Sequence, residues 1–230
     1  MKKGAKFFVV ILLVVLSGIF YYQFSGPSYS RTTAYVIRVV DGDTLELDGG
    51  MKVRLLGINT PDKEMLYYNE ATQFSRQAEN KTVMIESHGG DQYGRILAYV
   101  YLDDKMINEE IVRAGFAHLY YYEMDSHYNE LKKSEEYARL NGLGMWKPSS
   151  SKSCFSLIEL KHTEPERVIL QNSCNRSFNL VMKDDASAHI VKRTINSNSI
   201  IQQNSSHVFN DAGDSLYVWD DSGLVVFERY

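Results

Sequence analysis

Three short groups of polar residues carry side chains that could act on a phosphodiester. The first is the turn DGDT at residues 41–44, the second joins Arg54 to NTPD at residues 59–62, and the third is DQYGR at residues 91–95. Carboxylate, amide and carbonyl oxygens suit Ca²⁺, and a guanidinium can grip two phosphate oxygens. A remaining carboxylate could take a proton from water. Together the groups predict a metal-assisted phosphodiesterase.

Arg54 lies in the apolar stretch VRLLGI, where a charged side chain is costly to bury unless it is paired. A structural ion pair with Asp43 or Asp62 is therefore the alternative to phosphate binding. Three histidines, which no motif requires, are expected at structural or surface positions: His88, His118 and His127.

The elements that must position these groups are short. Strands are predicted at 35–40, 44–47, 52–58, 82–86 and 96–102, and helices at 69–79, 106–114 and 126–140. Five short strands with interposed helices predict an α+β domain at residues 33–148, built as a five-stranded oligonucleotide-binding (OB-fold) barrel with three helices.

The C-terminal part differs in kind. After a linker at residues 149–154, residues 155–230 show strand patterns and turn signals without a helical period, which predicts an all-β, immunoglobulin-like sandwich. The predicted strands are 155–160, 166–172, 178–182, 188–195, 206–209, 215–219 and 224–228. Cys154 and Cys174 would face each other if the first two strands form a hairpin, so either a disulfide or two unpaired thiols is expected.

The N-terminal segment, residues 1–32, places three lysines before the apolar run 7–20. This pattern is typical of an uncleaved membrane anchor or of a signal peptide followed by a linker. Both predict a protein outside the cytoplasm, membrane-anchored or secreted. Residues 33–148 carry 13 Lys and Arg against 19 Asp and Glu, a net charge of −6, which disfavours passive binding of nucleic acid.

Residues 35–147 resemble the staphylococcal nuclease (thermonuclease) family through VVDGDTLEL, KVRLLGINTPD, DQYGRILAYVYLDDKMINEEIVRAGFA and LKKSEEYARLNGLGMW. The resemblance implies a Ca²⁺-dependent endonuclease that cleaves DNA and also RNA. It implies Ca²⁺ ligands at Asp43, Asn59 and the Thr60 carbonyl. The other implied roles are phosphate binding by Arg54 and Arg95, and general base or positioning of water for Asp62. Substrate contacts are implied for Tyr93, Tyr120, Tyr121 and Tyr122. Core packing is the alternative for the last three.

Two residues depart from the family pattern, which has an aspartate at position 59 and a glutamate at position 62. The site of this chain loses one negative charge at Asn59, and the shorter side chain of Asp62 draws its carboxylate back. We therefore expect weaker cation binding and a slower enzyme. The alternative is an OB-fold module, tethered at the cell surface, that has lost catalysis and only binds nucleic acid or protein. Retention of both arginines with Asp43 favours the enzyme.

Residues 155–230 resemble the lamin-tail domain through ERVILQN and FNDAGDSLYVWDDSGLVV. That resemblance implies a binding or tethering module whose partner is unknown. A β-sandwich that serves only as a spacer is the alternative.

Overall fold

The computed structural model describes residues 30–121, 124–186, 189–205 and 213–230. The proposed anchor or signal peptide, Tyr122 and the predicted strand 206–209 lie outside these residues. Within the described part of the chain, no helix has both the length and the apolar character that a membrane crossing requires.

The N-terminal domain is a closed barrel with three helices. Its strands are β1 (Ser30–Val39), β2 (Thr44–Leu47), β3 (Lys52–Leu55), β4 (Ile58–Asn59), β5 (Thr82–Gly90), β6 (Ile96–Leu102), β7 (Lys105–Met106) and β8 (His118–Leu119). Its helices are α1 (Tyr68–Ser75), α2 (Ile107–Arg113) and α3 (Tyr128–Leu140). The strands follow the order β3-β2-β1-β5-β6, and a parallel pairing of β3 with β6 closes the ring. The predicted five-stranded OB-fold barrel is confirmed.

Local sequence explains most of this barrel. Gly49 and Gly50 have φ values of 86° and 82° and turn the chain between β2 and β3, a backbone conformation that glycine adopts readily. The β-branched and aliphatic residues of β1, β3, β5 and β6 fill the interior, where Val36, Val53, Ile85 and Val100 are almost fully buried.

The C-terminal domain is a sandwich of two antiparallel sheets. Its strands are β9 (Phe155–Lys161), β10 (Glu166–Asn172), β11 (Phe178–Lys183), β12 (Ile190–Ile195), β13 (Ser199–Ser205), β14 (Ser215–Asp220) and β15 (Gly223–Arg229). The sheets have the orders β13-β10-β9 and β12-β11-β14-β15. Strand β13 was not predicted. Strands β9 and β10 form the expected hairpin, and Cys154 and Cys174 form a disulfide at its open end.

The two domains pack directly on each other. Trp146 of the first domain lies in one buried cluster with Tyr217 and Trp219 of the second, and the Trp219 indole N–H donates to the carbonyl oxygen of Met145 at 2.9 Å. The connecting residues 149–154 are not an extended tether, because the Ser149 N–H donates to the Leu224 carbonyl oxygen at 2.9 Å. The sandwich is therefore in place to reach the polar groups of the barrel.

Candidate active site

Asp43 is the centre of the first polar group. Its Oδ2 accepts hydrogen bonds from the backbone N–H and the hydroxyl of Thr60, at 3.0 and 2.8 Å. The turn that carries it packs tightly on α1, since a Cβ added to Gly42 would lie 2.8 Å from the Cβ of Ala71. Glycine is thus required at position 42, and the close packing fixes the direction of the Asp43 side chain.

Arg54 meets Asp43 from strand β3. Its Nε lies 3.1 Å from Asp43 Oδ1, and its Nη2 donates to Asn59 Oδ1 at 3.1 Å. A third donor, Nη1, reaches the Leu55 carbonyl oxygen. Arg54 is only 8% exposed, so these acceptors compensate for the burial of its charge. The structural pairing with Asp43 that the sequence left open is present, and Asp43, Arg54, Asn59 and Thr60 form one contact group.

Arg95 lies directly before β6, the strand that pairs with β3. Arg54 pairs with Leu97 in the β3–β6 register, so Arg95 is two residues from the register partner of Arg54. The Arg95 Nε donates to Asp91 Oδ2 at 2.7 Å. Tyr93, which is 75% exposed, holds its ring centroid 5.5 Å from the Arg95 guanidinium carbon. The exposed ring and the partly exposed arginine could both meet a substrate from solvent.

Two further carboxylates border this group. Asp62 has a buried Oδ2 without a hydrogen-bond partner in the described part of the chain, so this oxygen is free to accept a proton or a water. Asp41 accepts the Asp43 N–H through its Oδ1 at 3.1 Å. Burial, and then the charge of Asp43, raise the pKa of Asp41 to about 6. From the sequence, Asp41 was predicted only as part of the turn at residues 41–44.

The donors at the site are all hard oxygens. Among the described residues, no three His, Cys, Asp or Glu side chains are grouped as a metal site. The candidate ligands are instead the Asp43 carboxylate, the Asn59 amide oxygen and the Thr60 carbonyl. An amide oxygen has two lone pairs, so Asn59 can accept from Arg54 and still face an ion. These oxygen donors are of the chemical type that Ca²⁺ prefers, and the set has a single carboxylate to neutralise the charge of the ion.

Two of the tyrosines that follow β8, Tyr120 and Tyr121, are described by the structure, and both are half-buried. The Tyr121 hydroxyl lies 3.0 Å from that of Tyr99, and its ring packs edge-on against Tyr128 at the barrel core. These contacts favour the packing interpretation for Tyr121, and its role in substrate binding stays a prediction. Tyr120 is half-buried, and its N–H donates to the Gly57 carbonyl oxygen.

Comparison with known proteins gives the same assignment as the geometry. Residues 52–148 match the family model "Staphylococcal nuclease homologue". The chain is 30% identical over 158 residues to the thermonuclease of Staphylococcus hyicus, covering 60% of this chain and 94% of that protein. It is 30% identical over 166 residues to the thermonuclease of Staphylococcus intermedius, covering 64% and 99%. It is also 34% identical over 124 residues to the SPbeta prophage-derived endonuclease YokF of Bacillus subtilis, covering 47% and 42%.

The chain belongs to the staphylococcal nuclease family. It is a nuclease that hydrolyses phosphodiester bonds of nucleic acid. In this nuclease the arginines, Asp43 and Asp62 lie on the barrel elements that the motifs predicted. Their individual roles remain predictions.

The structure adds residues of the sandwich that no motif indicated. The Asn59 amide N–H donates to the Asp185 carbonyl oxygen at 3.2 Å. His118 lies beside Asp185 as well, with 3.6 Å between His118 Nδ1 and Asp185 Oδ1. Burial, and then the charge of Lys183, lower the pKa of His118 well below its ordinary value. His118 is thus buried between the domains beside Asp185, a position that favours the structural role predicted for it.

Proposed function

We propose that this nuclease is a Ca²⁺-dependent endonuclease that cleaves DNA, and RNA as a second substrate, outside the cytoplasm. The observation that carries the proposal is the contact group of Asp43, Arg54, Asn59 and Thr60, bordered by an Asp62 oxygen without a partner. It joins oxygen ligands, a phosphate-binding cation and a proton acceptor on two strands and the turns beside them.

Each side chain has a distinct part in the reaction. Asp43, the Asn59 amide oxygen and the Thr60 carbonyl would hold Ca²⁺, which supplies positive charge against the reacting phosphate. Asp62 accepts the proton of the attacking water.

The arginines bind the negative charge that grows on the phosphoryl oxygens. Arg54 is held in place by Asp43 and Asn59, so it needs little reorganisation when charge develops. Arg95 is more exposed and approaches from the start of β6. Tyr93 offers an exposed ring on which a base can stack.

The disulfide between Cys154 and Cys174 supports the proposed location. Disulfides persist in oxidising compartments and are rare in the cytosol. Together with the basic and apolar N-terminal segment, it favours export, with the leader kept as an anchor or removed.

The test compares cleavage of single-stranded DNA, duplex DNA and RNA by the wild type, Arg95→Ala and Asp62→Ala, with Ca²⁺ and with a chelator. Arg38→Ala is the matched control, because Arg38 is also a strand arginine paired with a carboxylate, Glu46, but is largely exposed. We expect Ca²⁺-dependent cleavage that falls at least about a hundredfold in Arg95→Ala and Asp62→Ala and is unchanged in Arg38→Ala. Equal rates in all four proteins would overturn the assigned roles, and cleavage in chelator would overturn the cation.

A further inference from the structure

The C-terminal sandwich touches the nuclease site through the residues at the end of β11. The Asn59 side chain is bound at both ends, since its Oδ1 accepts from Arg54 Nη2 at 3.1 Å and its Nδ2 donates to the Asp185 carbonyl oxygen at 3.2 Å. An aspartate has no N–H to donate. The amide at position 59 therefore makes a tie between the domains that a carboxylate could not make.

Lys183 brings a buried positive charge to the same place. The residue is 3% exposed, and its ammonium donates to the carbonyl oxygens of Asp184, at 3.2 Å, and of Ala186. Burial lowers the pKa of Lys183, while four carboxylates oppose this effect, and Asp62 has the largest influence of the four. Asp62 itself keeps a buried oxygen without a hydrogen bond among the described residues.

The residues that follow Lys183 are firmly held. Asp185 accepts hydrogen bonds from the Tyr217 hydroxyl at 2.7 Å and from the Ser215 hydroxyl at 3.1 Å, and its N–H donates to Asp214 Oδ1 at 3.0 Å. The segment thus behaves as part of the sandwich. A rigid neighbour can fix the position of a side chain to the precision that catalysis requires.

We propose that Lys183, Asp184, Asp185 and Ala186 of the sandwich form one wall of the nuclease site. In this wall the Lys183 ammonium holds the segment through the carbonyls of Asp184 and Ala186, and the Asp185 carbonyl is the anchor for Asn59. Lys183 is therefore a positioning residue that acts through this segment, and the inference rests on the proposed function of Asn59. It assigns the C-terminal domain a part in turnover, beyond tethering or spacing.

The first test measures kcat and KM of the full chain on a single-stranded oligonucleotide at saturating Ca²⁺. Lys183→Met should lower kcat about tenfold or more and change KM less than about twofold, and Lys183→Arg should recover most of the loss. Lys192→Met is the matched control, since Lys192 also reaches across the domains, to Glu64 at 3.4 Å, but is well exposed. It should retain the wild-type kcat. A folded Lys183→Met protein with kcat within twofold of wild type would overturn the role of Lys183, as would an equal loss in Lys192→Met.

The second test does not depend on nuclease activity, because it measures limited proteolysis. Asn59→Asp removes the donor to Asp185 and should loosen the docked sandwich, so that trypsin cuts after Lys152, between the domains, severalfold faster. Asn69→Asp, at an exposed position of α1, should leave the cutting rate unchanged. If trypsin cut both variants and the wild type at the same rate, Asn59 would not be the residue that holds the two domains together. If the wild type itself cleaved no nucleic acid, the proposed function would fail, while the proteolysis would still report on the tie.

Discussion

Replacing Arg229 by methionine should undock the sandwich from the barrel. Arg229 spans the interface and forms a two-pronged contact with Glu135, in which Nη2 lies 3.2 Å from Oε1 and Nη1 contacts Oε2. Glu135 is 3% exposed, and within the described part of the chain its other hydrogen-bond donor is the Leu119 N–H, at 2.8 Å from Oε1. Without the arginine, a buried carboxylate would keep a single donor.

The expected cost follows from this burial. Breaking a buried ion pair by removing one partner costs about 3–5 kcal/mol. The Arg229 side chain is 33% exposed, so solvent already screens part of the interaction, and we expect a loss of about 2–3 kcal/mol. Adding Glu135→Gln to Arg229→Met should restore about half of the lost free energy of unfolding, because a neutral amide is less costly to leave buried than a carboxylate.

Tryptophan fluorescence during urea unfolding is the assay, because both tryptophans of the chain, Trp146 and Trp219, lie in the interface cluster. Lys192→Met should change the free energy of unfolding by less than about 0.5 kcal/mol, as exposed ion pairs do. An Arg229→Met protein within about 0.5 kcal/mol of wild type would refute the reasoning. A double variant no more stable than Arg229→Met would show that the unpaired carboxylate is not the cause.

Three further changes test other parts of the molecule. Cys154→Ser opens a loop with a sequence separation of 20 and should cost about 3 kcal/mol in urea unfolding, whereas a reductant should affect only the wild type. Burial raises the pKa of Glu86, but hydrogen bonds, the strongest from His127, bring it below its ordinary 4.5. Its stabilisation is therefore present above about pH 4.5 and lost as the pH falls through the lower folded value, so Glu86→Gln should flatten the acid loss of stability in urea titrations. Tyr93→Ala should raise KM for single-stranded DNA about tenfold by loss of base stacking, and Tyr93→Phe should not.

The barrel could be predicted because its signals are local. The turns at residues 41–43 and 48–50 and the β-branched stretches around them need no distant partner to be recognised. Strand β13 (Ser199–Ser205) was missed for the opposite reason. Its sequence SIIQQNS is mostly polar, with only two apolar residues among seven, and it becomes a strand by pairing along its whole length with β10.

The same difference between local and distant signals explains which residues of the candidate site could be predicted. The motifs identified Asp43, Arg54 and Asp62, because residue type and spacing were informative within one domain. They gave no sign of Lys183 or Asp185, since the Asn59–Asp185 contact joins residues 126 apart. Asp184 and Asp185 read as a turn signal alone. Only the docking of the two domains brings their backbone to the site.

The amide at position 59 is compatible with the docked sandwich in a way that a carboxylate would not be. A carboxylate there would place a negative oxygen against the Asp185 carbonyl oxygen, where Asn59 now donates at 3.2 Å, and it would add a second acid beside Asp43, which Arg54 already neutralises. Both effects oppose docking, because like-charged oxygens in a buried contact repel. The neutral amide avoids this repulsion and adds a hydrogen bond between the domains. In exchange, the cation site has one negative charge fewer. The residue expected to weaken the metal site therefore couples that site to the second domain.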